Sequence, residues 1–386
     1  MDFKGKRVLV RIDANVPIKK GKVVDGPHGR IARSAVGLDW LLQRGARVIV
    51  LTHIGRPDGK RVSAYSVRPV VKRLSELLKV KVRYCHDISG PKAQKAVDKL
   101  KNGEVLVLEN VRFDPREKEN APSFAEALAS LGDIYVNDAF ASSHRSHASI
   151  DSIASELPSY SGLLLANEVG VLEKAISHQK KPFLLVVGGF KITTKLPVIK
   201  NFLSQVDGIL TGGALATVLL KAQGVDVGAS LYDKEGLVVA KELLKKGKDK
   251  LWLPEDVVVA KSFRKDARMR VVSIKDIKKT DKIVDIGPVT IRRYQHEIDK
   301  ARTIVWNGPF GYCEVPAFCS GTEVIAQAIA KRTGRATTIV GGGDTTPVVE
   351  RLGLADQFTL LSTGGGAMLD FLAGEKLPGL EALKID

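Results

Sequence analysis

The chain has 386 residues, a formal net charge of +17 and 44% hydrophobic residues. One hydrophobic core stops growing near about 250–300 residues, so two domains are expected. No apolar stretch nears the roughly 20 residues that span a bilayer, and no apolar signal core follows Met1-Asp2-Phe3-Lys4-Gly5-Lys6; a cytoplasmic protein is expected, with Cys85, Cys313 and Cys319 as reduced thiols lacking metal-ligand spacing.

Short apolar runs recur and stop at polar or glycine-rich tips. Runs over residues 8–12, 48–51, 105–108 and 134–136 end in Asp13 and Asn15, in His53 and Arg56, in Asn110 and Arg112, and in Asn137-Asp138. Later runs over 183–187, 209–210, 283–286, 303–306, 338–340 and 359–361 end in glycine: Gly188-Gly189, Gly212-Gly213, Gly287-Pro288, Asn307-Gly308-Pro309, Gly341-Gly342-Gly343-Asp344 and Ser362-Thr363-Gly364-Gly365-Gly366. Continuous apolar runs of this kind suit parallel strands covered on both faces. Helical patterns lie between them, over 31–43, 67–78, 124–130, 164–176, 197–203, 214–222, 234–244, 322–331 and 347–352. Alternation of strand and helix predicts an α/β protein with two doubly wound, Rossmann-like parallel sheets. The turn-rich segment Pro158-Ser159-Tyr160-Ser161-Gly162 marks the expected boundary. It separates a domain over 1–162 from one over 163–373, joined by a long inter-domain helix and hinge. The tail, 374–386, is a candidate to dock on the first domain.

In open parallel sheets ligands sit beyond the carboxyl ends of the strands. The glycine tips expose backbone N–H groups at helix starts, a setting that favours phosphate. Asp344 adds a hard oxygen ligand of the kind Mg²⁺ takes. Lys191 and Lys195, four apart after Gly188-Gly189, share a helix face, and an anion between them would relieve their repulsion. Neither a Walker P-loop nor a GxGxxG fingerprint is present. The early tips carry Arg11, Arg30, Arg56, Arg112 and Arg145 with Asp13, Asn15, His53, His144 and His147. Arginine forks bind phosphate and carboxylate through parallel hydrogen bonds, so this rim predicts a small, multiply anionic ligand. Basic charge without an aromatic-plus-basic module disfavours nucleic acid as the main partner.

The ordered motifs resemble phosphoglycerate kinases from end to end. They include Arg11-Ile12-Asp13-Ala14-Asn15-Val16-Pro17, Thr52-His53-Ile54-Gly55-Arg56-Pro57 and His144-Arg145-Ser146-His147 early in the chain. Gly188-Gly189-Phe190-Lys191, Trp306-Asn307-Gly308-Pro309 and Gly341-Gly342-Gly343-Asp344-Thr345 carry it later. The resemblance implies phosphoryl transfer between 1,3-bisphosphoglycerate and ADP by a cytoplasmic, hinge-bending monomer that uses Mg²⁺ with ATP/ADP. It implies phosphoglycerate binding by Asp13, Asn15, Arg30, His53, Arg56, Arg112 and Arg145. It implies nucleotide binding by Gly188, Gly189, Lys191, Lys195, Gly212, Gly213, Asn307, Glu314, Gly341, Gly342, Asp344 and Thr345, with Glu314 on the ribose and Asp344 on the metal. Arg30, Lys191, Gly343, Gly365 and Gly366 would steady the moving phosphoryl group. Phe190 departs from the family's usual alanine, and Thr193-Thr194 replaces a stretch that commonly carries an aspartate.

Overall fold

A computed structural model describes residues 2–189, 195, 199–247 and 249–383. The chain divides into two compact units, Met1–Gly170 with Gly374–Asp386 and Val171–Ala373. Lys191, Phe190, Thr193 and Thr194 lie outside the described residues.

The first unit runs through β1 (Arg7–Ile12), a small hairpin of β2 (Ile18–Lys19) and β3 (Lys22–Val23), then β4 (Arg47–Leu51), β5 (Val82–Cys85), β6 (Val105–Leu108), β7 (Ile134–Asp138) and β8 (Ser159–Ser161). Its sheet is parallel, in the order β5-β6-β4-β1-β7-β8. Both faces are covered, which is why these strands read as unbroken apolar runs. Val8, Val10 and Ile12 pack with Leu38, Leu41, Val70 and Leu74 on one side. Leu9, Ile49 and Leu106 pack with Val97, Phe124 and Leu128 on the other.

The second unit contains β9 (Phe183–Val187), β10 (Gly208–Thr211), β11 (Leu251–Trp252), β12 (Asp256–Ala260), β13 (Arg270–Ser273), β14 (Lys282–Ile286), β15 (Thr303–Asn307), β16 (Thr337–Gly341) and β17 (Leu360–Ser362). The main sheet is parallel, β11-β10-β9-β15-β16-β17. The chain winds outward from β9 to one edge and returns beside β9 to build the other, the doubly wound order of dinucleotide-binding sheets. Its switch point, where ligands bind in such folds, lies between the ends of β9 and β15.

One expected strand is placed differently. The run 283–286 belongs to β14, which pairs antiparallel with β12 in a separate three-stranded sheet. Apolar content alone does not specify strand direction, so pattern alone groups Gly287-Pro288 with the rim. In the structure Pro288 opens the helix Pro288–Lys300, and the Asp256 carboxylate accepts from Val289 N (3.0 Å) and Thr290 N (2.8 Å) there.

The helix Leu163–Ser177 contains the junction of the two units at Gly170. Asp138, at the end of β7, accepts from Leu164 N (2.8 Å) and Leu165 N (3.1 Å). It therefore caps this helix rather than facing a ligand. Burial pushes the Asp138 carboxyl up to about 7 against those two N–H bonds. The segment after Gly374 returns to the first unit: Gly379 N donates to Ser143 O (2.9 Å), and Leu377 and Leu380 are buried.

Candidate active site

Strand register sets the basic rim. Arg11 lies opposite Leu51 on β4 and Asn137 on β7, so the residues that follow these strands leave the sheet at one level. Thr52 ties the tips together, donating from Oγ1 to Ile12 O (3.0 Å) and accepting from Ala14 N (3.1 Å). Arg30, the first residue of the helix Arg30–Leu42, reaches Asp13 Oδ2 (2.8 Å) and Asn15 O (3.1 Å) through Nη1. Asn15 Oδ1 accepts from Gly55 N (2.9 Å), and Gly55 O accepts from Arg112 Nη1 (2.8 Å). Arg145 donates from Nε to His144 Nε2 (3.2 Å). Arg56 is exposed at the edge of the group.

Arg11, absent from the expected substrate set, is fully buried beneath this rim. Its Nε donates to Ser149 Oγ (2.9 Å) and its Nη2 contacts His53 Nδ1 (2.9 Å). Ser149 in turn donates from N (2.9 Å) and Oγ (2.7 Å) to Glu117, whose side chain is also buried. Arg11 and Ser149 are far apart in sequence, and Glu117 ends the short 3-10 turn Pro115–Glu117 without a recognisable motif, so only the tertiary structure exposes this support.

The electrostatics of the rim are lopsided. His53 is held well below its ordinary pKa by burial and then by the fields of Arg11, Arg112, Arg145 and Arg30. The same causes, burial first and then Arg11 and Arg145, bring Arg112 down to about 10. Burial, then Arg145 and His147, take His144 down to about 4. Like charges gathered at partly buried positions are costly unless an anion joins them. Arg112 Nε and His144 Nδ1 are buried with no hydrogen-bond partner among the described residues, which the oxygen of such an anion could satisfy for the guanidinium. A wider cleft of about 1030 Å³ in the same unit is also lined by cations, including Lys22, Arg61, Arg68 and Arg73. There Asp25 already holds Arg73 (3.2 Å), and Arg61 and Arg68 are exposed. The rim is the better-prepared anion site.

In the second unit the register again levels the tips. Val187 lies opposite Thr211 and Asn307, Asn307 opposite Gly341, and Gly341 opposite Ser362. The glycine loops therefore emerge side by side. Gly188 N donates to Asn307 O (3.0 Å) and Gly189 N to Pro309 O (2.8 Å). A Cβ at Gly188 would collide with the Pro309 carbonyl, and Gly308 combines a close approach to Gly188 O with φ +95°. Glycine is required at these two positions on steric grounds.

Asn307 and Thr345 act within this backbone assembly. Asn307 Nδ2 donates to Gly341 O (3.0 Å) and Gly365 O (3.4 Å), and Thr345 Oγ1 accepts from Gly308 N (2.7 Å). They join the loops. Among the described residues, the amides of Gly343 and Gly365 have no protein acceptor. Lys195 Nζ sits at the switch point, donating to Gly188 O (2.5 Å) and lying 3.5 Å from Asn307 O. Burial brings Lys195 down to about 8, with Asp344 opposing the shift.

Beside these loops is a cavity of about 310 Å³. Gly189, Gly213 and Asp344 form its polar end. Leu231, Phe263, Ile283, Val284, Pro309 and Phe310 make the rest largely apolar, with Tyr312 and exposed Glu314 at the opening. Gly212 lies just behind, against the Phe310 ring. A flat apolar ring with a charged phosphate tail matches this gradient from apolar to polar.

The loop that carries Glu314 corrects the cysteine expectation. Cys313 and Cys319 are joined by a disulfide, with Cα atoms 4.6 Å apart; Cys85 is free and buried. A turn at Pro316–Phe318 reverses the chain and brings the two side chains together, a juxtaposition that their spacing in the sequence does not announce.

The family model described as phosphoglycerate kinase matches residues 1–375. A phosphoglycerate kinase of Roseiflexus sp. (strain RS-1) is 46% identical, covering 99% of this chain and 97% of the relative. One of Dictyoglomus turgidum is 44% identical, over 99% and 96%. The solved phosphoglycerate kinase of Pyrococcus horikoshii OT3 superposes with a TM-score of 0.89 at 34% identity, covering 100% of this chain and 97% of that one. That of Coxiella burnetii superposes at 0.82 with 39% identity over the same shares. Matched along its length in sequence and in fold, the chain belongs to the phosphoglycerate kinase family.

Proposed function

We propose that this chain reversibly transfers a phosphoryl group between 1,3-bisphosphoglycerate and ADP, giving 3-phosphoglycerate and ATP. The observation that carries the assignment of the first half-site is the convergence of Arg11, Arg30, Arg112 and Arg145 on a neutral, buried His53. Asp13, Asn15, Arg30, His53, Arg56, Arg112 and Arg145 hold the phosphoglycerate. The second half-site holds the nucleotide. Its base and ribose occupy the cavity with Glu314 on the hydroxyls, and its phosphates lie along Gly188, Gly189, Gly212, Gly213, Gly341, Gly342 and Lys195. Asn307 and Thr345 shape that phosphate cradle, and Lys191 joins it from outside the described residues.

The chemistry asks little of proton transfer. An ADP β-phosphate oxygen attacks the acyl phosphorus, the bond from phosphorus to the carboxyl oxygen breaks, and a carboxylate leaves already ionised at neutral pH. Catalysis then rests on alignment and on neutralising the moving phosphoryl oxygens. Arg30, Lys191 and the amides at Gly343, Gly365 and Gly366 take that role. Since each unit holds one substrate, a hinge step that brings the two in line and excludes water belongs to the cycle. We place the enzyme, a monomer, in the cytoplasm with its substrates. No described helix is long and apolar enough to cross a membrane.

The residues present fit Mg²⁺. Asp344 is an exposed carboxylate on the cavity, Gly343 beside it leaves open space, and no cluster of three or more ligating side chains occurs among the described residues. Mg²⁺ commonly binds through one or two carboxylates plus substrate phosphates and keeps several waters. When bound, it supplies charge neutralisation at the nucleotide phosphates. Asp344→Ala is expected to raise the Mg²⁺ concentration for half-maximal rate by about tenfold or more. An unchanged Mg²⁺ titration would remove Asp344 from this role.

A coupled assay of ATP formation tests the reaction. Rapid turnover with 1,3-bisphosphoglycerate and very little with acetyl phosphate is expected, because acetyl phosphate lacks the second phosphate that the arginines hold. Comparable rates with both donors would point to a kinase of some other acyl phosphate. No turnover with either would leave a metabolite-sensing relative.

A further inference from the structure

The disulfide closes the loop that carries Glu314 to the cavity, directly after Tyr312. Its two ends are held very differently. Cys319 is completely buried at the N-cap of the helix Ser320–Ala330, and the next turn is fixed by Gly321 N donating to Asp285 Oδ2 (2.7 Å). Cys313 is half-buried between Tyr312 and Glu314, both exposed. Apart from the disulfide, the Cys313 end is tied by Tyr312 N donating to Val284 O (2.9 Å) and by the Phe263–Tyr312 ring contact, with centroids 4.7 Å apart.

The sulfurs differ chemically too. Cys319 Sγ lies 3.6 Å from Arg351 Nη2, at the positive end of an 11-residue helix. A guanidinium and a helix N-terminus both stabilise a thiolate. Glu323, which accepts from Arg351 Nη1 (2.8 Å), offsets part of that charge but leaves the second guanidinium nitrogen on the sulfur. Cys319 is thus the better leaving group, and Cys313, the less buried residue of the two, is the end for an incoming thiolate to attack. Fast disulfide exchange needs this pairing of an accessible sulfur with a stabilised leaving thiolate.

We propose that Cys313–Cys319 is a reducible modification site for a dithiol reductant, and that its reduction weakens nucleotide binding by releasing the Glu314 loop; the second clause rests on the nucleotide reading of the cavity. One reductant thiolate attacks Cys313 Sγ, the S–S bond breaks, and the electron pair leaves on Cys319 as a thiolate. The reductant's second thiolate then attacks its own sulfur in the mixed disulfide and expels Cys313 as a thiolate. The two thiol protons of the reductant end on Cys313 and Cys319. Two electrons pass to the protein, and the reductant becomes a disulfide. The Glu314 end then keeps the Tyr312 bond to Val284, the Phe263–Tyr312 contact and the turn's own backbone bonds but loses its covalent tie, so it opens more readily.

The test uses the full chain under native conditions, with dithiothreitol as the probe. Alkylation should reveal two thiols beyond the background of buried Cys85, and re-oxidation should remove them. ADP affinity by calorimetry should fall about fivefold on reduction, a coupling at the low end of those known between sites. The Cys313→Ser/Cys319→Ser double variant should show the same loss in any buffer. KM for 3-phosphoglycerate should stay unchanged, which general destabilisation would not produce. Arg351→Ala should slow native reduction several-fold. A disulfide that reacts only after denaturation overturns the proposal, as does an ADP affinity that reduction leaves alone. In the latter case Glu314→Ala separates the causes. If it weakens ADP, the cavity reading stands and the switch alone fails; if it does not, the cavity reading has failed and the proposal falls with it.

Discussion

Arg30→Ala is expected to lower kcat by about three orders of magnitude, the scale of an arginine that neutralises a transferring phosphoryl group. The fold should survive, because Arg30 is a half-buried first-turn residue whose side chain lies outside the hydrophobic cluster beneath its helix. The loss has two parts. A guanidinium disappears from the place where charge develops, and Asp13, now without its 2.8 Å partner, leaves a carboxylate facing the incoming anion. Asp13 still accepts from Asn15 N (2.9 Å), so it stays in position and repels. Both parts act on the phosphoglycerate side, so KM for ADP should hold. Arg30→Lys restores the charge without the fork and should recover only part of the rate. Steady-state kcat with both KM values, alongside a thermal melt, checks this. A variant within tenfold of the parent would take Arg30 out of the transition state.

Most of the fold was legible because its strands are short, apolar and covered on both faces. The run 105–108 coincides with β6, and 183–187 with β9. Other runs miss by one or two residues, as at β1, where Arg7 joins the strand although it is charged, and at β7, which extends to Asp138. Among the strands without a marked run, β5, β8 at an edge and β13 on a small antiparallel sheet are incompletely buried, whereas β12 is largely buried and goes unmarked all the same. The helix Pro288–Lys300 also went unmarked, since only Thr290, Tyr294 and Ile298 of its residues are buried and its surface is densely polar. A single narrow stripe at i, i+4, i+8 gives a weak periodic signal.

The two rims were legible for a different reason: glycine and arginine at successive strand ends are conspicuous in a linear sequence. What holds them was not. Asn307 and Thr345 look like ligand contacts in their motifs, and in the fold Asn307 Nδ2 and Thr345 Oγ1 also tie Gly341, Gly365 and Gly308 together. Asn137-Asp138 looks like another rim tip, yet Asp138 caps a helix. The Cys313–Cys319 bond depends on a local reversal at Pro316 rather than on any spacing rule. Each of these is a partner relation, and partners across a fold leave no mark at either position alone.

Glu117 is the sharpest instance, and it supports the largest expected effect on stability. Its carboxylate is fully buried, takes two hydrogen bonds from Ser149 and lies 3.7 Å from His147 Nδ1. Burial alone would raise its pKa, but His147, the Arg11 charge and Ser149 together outweigh burial and hold it below the ordinary carboxylate value. Removing one partner of a buried charge network costs about 3–5 kcal/mol, since the remaining charge stays desolvated. Glu117→Ala should therefore lower the Tm of the first unit by roughly 10 °C, at about 2–4 °C per kcal/mol for a body of this size. Glu117→Gln keeps the shape and loses the charge. A group whose folded pKa is depressed contributes stability above its unfolded pKa, about 4.3 for glutamate, and loses that contribution as pH falls through the folded value. The parent should thus converge on Glu117→Gln in acid while exceeding it at neutral pH. The measurement is the Tm difference between the two across that range. A gap that does not narrow with acid would mean that Glu117 acts through packing alone, and that Arg11 is held in place without the help of its charge.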